Sequence, residues 1–177
     1  MTKSSAKKIE KDEKKIIEEL SKNANKSIND IAKSCGFSRQ KVWRVIKNLE
    51  KNHTIWGYTA VIDNEKLNKK NYMMLIKRTN KPLSNKLIED IINRNVPKEI
   101  KKYGINMTCS FYTHGIYDWI ICFNAPGTKE AKLFVEYYNK LYGEFLSEIN
   151  LVDVMFSVGR CGVINPEIKK FKDFFKT

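Results

Sequence analysis

Six side chains between residues 39 and 47 have types and spacing that could do chemistry: Arg39, Gln40, Lys41, Trp43, Arg44 and Lys47, within CGFSRQKVWRVIKNLE, residues 35 to 50. That chemistry is recognition. A guanidinium can give two parallel hydrogen bonds to a guanine edge, a carboxamide can pair in the same way with adenine, and an ammonium can neutralise a phosphate. Val42, Val45, Ile46 and Leu49 recur at i, i+3, i+4 and i+7, so they share one helix face and the six polar or aromatic residues point elsewhere. Ser38 stands immediately before them, where a hydroxyl can cap the helix and face the same ligand.

Little else in the chain could carry a reaction. Cys35, Cys109, Cys122 and Cys161 lie far apart, and only His53 and His114 could join them. A structural zinc site takes four N or S ligands, usually in close pairs, so no metal is expected and the cysteines read as reduced small hydrophobes. No G-x-S-x-G, phosphate-cradling glycine loop or H-E-x-x-H occurs. The chain is expected to be no enzyme and to need no cofactor. Its formal net charge of +13 points to a polyanionic partner. A lysine-rich surface could also reflect an A/T-biased genome, but the excess is denser in residues 1–70, with a net of +8. No apolar run is long enough to span a bilayer and the first residues have no signal-peptide core, so a cytoplasmic protein without membrane contact is expected.

The elements that must position these residues follow from periodicity. Residues 1–10 read as a polar tail. Asp12 is the expected cap of a first helix carrying Ile16, Ile17 and Leu20 and ending near Asn23. Ser27, with Asp30 three residues on, starts a short second helix carrying Ile28, Ile31 and Ala32, which Gly36 stops. The helix from Ser38 follows and ends at Asn52, the expected left-handed cap. TIWGYTAVID, residues 54–63, reads as a strand pair or short wing folded about Gly57. Residues 1–62 therefore read as a winged helix-turn-helix, and the polar residues 63–71 as a linker. Over 72–160 the expected order is a strand at YMMLIKRT, a helix at SNKLIEDIINR, strands at INMTCSFYT and IYDWIICFNA joined at Gly115, a helix over 129–146 and a strand at LVDVMFSVGR. That order, βαββαβ, is ferredoxin-like and makes the fold class α+β. Helices cover one face of such a sheet, so the other face is expected to meet a second copy of the chain. In the extension, 161–177, Ile168, Phe171, Phe174 and Phe175 share a helical face expected to pack on the sheet or across a dimer.

DEKKIIEEL, SINDIAKSCGFSRQKVWRVIKNLEKN, IWGYTAVID and the downstream GIYDW together make the chain resemble the Lrp/AsnC, or feast/famine, family of transcriptional regulators. The resemblance implies an N-terminal winged helix-turn-helix joined to a ferredoxin-like domain for effector sensing and assembly. It also implies a homodimer, or an assembly of dimers, that puts the helix from Ser38 into the major groove of double-stranded DNA. In that frame Ser38, Arg39, Gln40, Lys41, Trp43, Arg44 and Lys47 are the DNA-binding set. The family's effector, usually an amino acid, would lie near the G-x-Y-D turn, which places Thr113, His114, Gly115, Tyr117 and Asp118 in its site. Asp118 could accept the effector's ammonium or could equally be a cap that holds the turn; Trp43 could equally cover a neighbouring helix or the wing.

Three departures stand out: Asn52 and His53 replace the family's usual glycine after the recognition helix, Pro97 is expected to break a lengthened helical stretch, and the chain runs on past Arg160. A rival reading is a tetrapyrrole enzyme of the sirohaem decarboxylase type, which shares the architecture. Such a site needs histidines and gathered cations, and the second domain offers His114, Arg78, Arg94 and Arg160. An RNA-binding module would instead show no preference for duplex sequence.

Overall fold

The structure, a computed structural model, describes residues 10–176. The chain divides into two compact units, one running from Ile62 to Ser157 and the other combining the residues up to Val61 with those from Val158 onward.

In the N-terminal unit, α1 (Lys11–Lys22), α2 (Ile28–Cys35) and α3 (Arg39–Lys51) surround a small core of Ile16, Ile31, Ala32 and Val42, with Leu20, Ile28, Phe37, Val45 and Ile46 packed against it. Leu49 is fully buried as well. The boundaries are local chemistry. Ser27 Oγ accepts the Asp30 N–H at 3.1 Å, and Gly36 closes α2 at φ 70°, a left-handed conformation that a residue without Cβ adopts freely. The cap of α1 is Glu10 rather than Asp12: the Glu10 N–H donates to Glu13 Oε2 at 3.0 Å, and Asp12 sits inside the first turn, free to reach another helix. At the end of α3 the left-handed residue is His53, φ 60°, and not Asn52, whose φ is −90°. Asn52 instead uses its side-chain oxygen to accept the Thr54 N–H at 3.0 Å, an Asx turn.

The expected wing is not a strand pair. Residues 55–62 carry no β-ladder, and Trp56 is 95% exposed. A lone Gly57 between Trp56 and Tyr58 lacks the two-residue chemistry of a tight hairpin. What holds the segment is the Ile55 N–H on the Leu49 carbonyl at 3.0 Å and the Tyr58 hydroxyl on Glu50 Oε1 at 3.1 Å. The C-terminal extension groups with this unit and not with the sheet, which was one of the two places expected for it, a dimer contact being the other. It opens with a two-stranded hairpin, β5 (Gly159–Arg160) and β6 (Val163–Ile164). Cys161 and Gly162 turn it at φ 50° and 78°, the pair of positive values that a two-residue type I′ loop requires. A 3₁₀ turn over Ile168–Phe174 follows.

The second unit is a four-stranded antiparallel sheet in the order β2-β3-β1-β4, formed by β1 (Lys70–Arg78), β2 (Asn106–Tyr112), β3 (Trp119–Ala125) and β4 (Leu146–Asp153). With α4 (Asn85–Ile92), α5 (Asn95–Ile100) and α6 (Thr128–Tyr142), the order and pairing are ferredoxin-like. Tyr72, Met74, Ile76, Ile121 and Phe123 face the helices and pack on Leu87, Ile100, Phe134 and Tyr138. Four boundaries differ from expectation. The helical break falls at Arg94, φ 56°, and Pro97 lies in the first turn of α5, where a missing N–H costs nothing. The 129–146 helix stops at Tyr142. The last strand is LSEINLVD and not LVDVMFSVGR, because an edge strand needs apolar residues on its inner face alone, here Ile149 and Leu151. Finally, β1 begins inside the expected linker, where Asn64 is buried and donates to Asn71 Oδ1 at 2.6 Å.

Because an L-residue in the left-handed region is strained by about 1–2 kcal/mol, His53→Gly is expected to raise the unfolding free energy by about 1 kcal/mol, read as a higher urea midpoint. An unchanged midpoint would show that the imidazole makes an offsetting contact.

Candidate DNA interface and ligand turn

The first turn of α3 is built by Ser38, whose Oγ accepts the Lys41 N–H at 3.3 Å. Val42 and Leu49 are completely buried, and this fixes the helix's rotation about its own axis. Ser38, Arg39, Gln40, Trp43, Arg44 and Lys47 are consequently exposed, and with Ile28 the first five border an open concavity of about 750 Å³. Trp43 keeps 54% of its surface in solvent, far from the burial expected of a side chain covering a neighbouring helix. Among the described residues, Arg39, Gln40 and Arg44 have no side-chain hydrogen bond or ion pair, so their donors are available.

The lysines of the set are engaged. Lys41 Nζ lies 2.6 Å from Asp12 Oδ2 on α1 and 4.1 Å from the centre of the Phe37 ring. The Lys41 hydrogen bond is the main reason the Asp12 carboxyl is held below its ordinary range. Lys41 thus joins the turn and first helix to α3. Lys47 pairs with Glu50 at 2.8 Å, and that bond, with the one from Tyr58, keeps Glu50 ionised to lower pH.

The second set sits in the β2–β3 connection. Thr113 closes it twice, with N–H on the Asp118 carbonyl at 2.8 Å and Oγ1 donating to the Tyr117 carbonyl at 2.7 Å. The Asp118 N–H donates to the Ile76 carbonyl at 2.9 Å, while its Oδ2 accepts the Arg78 N–H at 2.8 Å. One carboxylate oxygen therefore ties the turn to the end of β1. Lys77 lies 5.7 Å from the Tyr117 ring centre and pairs with Glu148 at 2.8 Å. Between these anchors His114, Gly115 and Ile116 project outward, with Gly115 at φ 151°, a backbone conformation that residues with a Cβ rarely adopt. Sequence reasoning did not single out Arg78 at this turn. Its guanidinium donates to the Tyr112 hydroxyl at 2.8 Å and the Lys81 carbonyl at 3.2 Å, and its Nε is buried with no partner among the described residues. Arg78 and Asp118 are forty residues apart, and no local signal joins them.

The family model of winged helix-turn-helix DNA-binding domains matches residues 13–55. None of the curated proteins matches the sequence significantly. Solved structures do match. The transcriptional regulator NMB0573 of Neisseria meningitidis, solved as a complex with L-Met, superposes with a TM-score of 0.64 at 15% identity, over 89% of this chain and 97% of that one. B. subtilis LrpC gives 0.60 at 18% identity, over 85% and 96%. An AsnC family transcriptional regulator from Agrobacterium tumefaciens gives 0.61 at 16% identity, over 94% and 99%. The chain has the Lrp/AsnC fold. Within it, α3 is the second helix of the helix-turn-helix, and the 113–118 turn is a connection between two strands of the ferredoxin-like sheet.

The two groups of contacts make separable predictions. Lys41→Ala removes an ion pair and a cation–π contact and is expected to cost about 1 kcal/mol in urea unfolding, whereas Arg44→Ala should leave the midpoint within about 0.5 kcal/mol. Asp118→Ala strands the Arg78 amide and is expected to destabilise the protein by about 1–3 kcal/mol, with or without any ligand present. Equal midpoints for Asp118→Ala and the parent would remove the structural role of that carboxylate.

Proposed function

We propose that the chain is a sequence-specific double-stranded DNA-binding transcriptional regulator of the Lrp/AsnC type. The observation that carries the reading is the exposed end of α3, where Arg39, Gln40, Trp43 and Arg44 stand free on a helix anchored by buried Val42 and Leu49. The N-terminal turns of a recognition helix are the ones that reach base edges, and a guanidinium and a carboxamide are the side chains that read guanine and adenine. Arg39 and Gln40 are assigned to bases, Trp43 to a thymine methyl or sugar edge, and Arg44 and Lys47 to phosphate. Ser38 and Lys41 hold the helix start and lie beside the backbone.

The protein works as a homodimer or an assembly of dimers. The helix-free face of the sheet supports this, since the register sets Met73 beside Cys122 and Val152, and Leu75 beside Ile120, on that face. Phe111 stands opposite Ile120 and is half exposed. These apolar side chains need a cover. A small-molecule effector, an amino acid by class, is assigned to Thr113, His114, Gly115, Tyr117 and Asp118. The Neisseria meningitidis regulator of the same fold was solved with L-Met, which supports that class. Asp118 has one carboxylate oxygen committed to Arg78, so the exposed amides around Gly115 are the better candidates for the effector's carboxylate.

The test is selection of a binding site from random duplex DNA with the full-length protein, followed by titrations at two salt concentrations. Arg39→Ala and Arg44→Ala are expected to weaken binding of the selected site about tenfold or more, with unchanged thermal stability. Arg39→Ala should also relax base preference at one position, while Arg44→Ala should weaken all sequences alike and lower the salt slope. Selection that returns no consensus would reduce α3 to non-specific electrostatics.

A further inference from the structure

Cys109 and Cys122 stand directly opposite each other on β2 and β3. Opposed residues of antiparallel strands have Cα atoms about 4.5–5.5 Å apart, within the roughly 4.4–6.8 Å that a disulfide spans. Both side chains lie on the helix-free face, and both thiols are free and half-buried. The register shifts just beyond the pair, where Met107 faces Phe123 and Thr108 is the extra residue. The Thr108 hydroxyl donates to the Cys122 carbonyl at 3.0 Å and pins the two strands at that point. Because β2 is an edge strand, the pair can be approached from the side of the sheet.

We propose that Cys109 and Cys122 are an oxidative modification site, converted to an intrachain disulfide by a hydroperoxide and restored by a low-molecular-weight thiol. Cys109, on the edge strand, attacks the terminal peroxide oxygen as its thiolate. The O–O bond breaks, a sulfenic acid forms at Cys109, and the departing alkoxide or hydroxide takes up the proton the thiol released. The Cys122 sulfur then attacks the Cys109 sulfur. The S–S bond forms, the S–O bond breaks, and hydroxide leaves as water with the Cys122 proton. The two sulfurs together lose two electrons and the peroxide gains two. Burial and the adjacent Cys109 sulfur keep the Cys122 thiol up from its ordinary range, in keeping with its part as the second, proton-bearing partner. Two equivalents of external thiol reverse the reaction by exchange, leaving their own disulfide as product. Both sulfurs lie on the face assigned above to a second copy of the chain, so the reaction rests on peroxide entering at the β2 edge of that assembly.

The experiment exposes full-length protein to hydrogen peroxide, tags the remaining thiols with a mass-shifting maleimide, and maps linkages by non-reducing digestion and mass spectrometry. Of the four thiols, two are expected to disappear together, with the 109 and 122 peptides joined, and dithiothreitol should return both. In Cys109→Ser, Cys122 should stay taggable under the same exposure. The oxidised parent should show a higher Tm, reversed by dithiothreitol. The proposal is overturned if both thiols stay taggable after an exposure that consumes a control thiol. It is equally overturned if the disulfide found joins either cysteine to Cys35, to Cys161 or to a second copy of the chain.

Discussion

Burial of Val42 and Leu49 is the constraint on which the rest of the N-terminal unit depends. Both lose all contact with solvent, and truncating a residue such as Leu49 to alanine costs about 2–5 kcal/mol in a comparable core. A helix has one rotational freedom about its axis, and these two side chains remove it. Every other residue of α3 then points where 100° per residue sends it, so Arg39, Gln40, Trp43 and Arg44 are exposed as a consequence of the core and not of any contact of their own. The site is cheap to build because the core supplies its geometry.

Electrostatics in this unit divide into two kinds. Lys41 answers the Asp12 carboxylate on another helix, whereas Lys47 pairs with Glu50 on its own helix in an exposed ion pair that a phosphate can replace. Arg39 and Arg44 have no such partner among the described residues, and a guanidinium is the side chain best suited to planar, two-point recognition. The division separates what holds the helices together from what is left to meet a partner, although all four residues look alike in a count of charges.

In the second unit the corresponding device is the Asp118 carboxylate on the Arg78 amide. It ties the β2–β3 connection to the end of β1 in a sheet whose register is otherwise set by alternation of apolar residues. With the base of the turn tied by Thr113 and Asp118, the exposed residues 114–116 are held between two fixed ends.

The three helices, their caps at Ser27 and Ser38, the stop at Gly36, the polar face of α3 and the βαββαβ order were all legible in the sequence, because each rests on interactions within about four residues or on a hydrophobic period. Tertiary structure decided the rest. Asp12 could serve as a cap or as a partner for Lys41, and only the approach of α1 to α3 chose the second. The left-handed position fell on His53 because the Asn52 side chain was used to close a turn. Residues 54–63 have strand-forming composition, yet a strand exists only where another pairs with it, and none of the described residues does. The last strand moved upstream to LSEINLVD because β1 dictates the register of its neighbours over its own length. The opposition of Cys109 and Cys122 and the bond from Arg78 to Asp118 likewise depend on register between distant segments, and one-dimensional patterns carry no distance across a sheet.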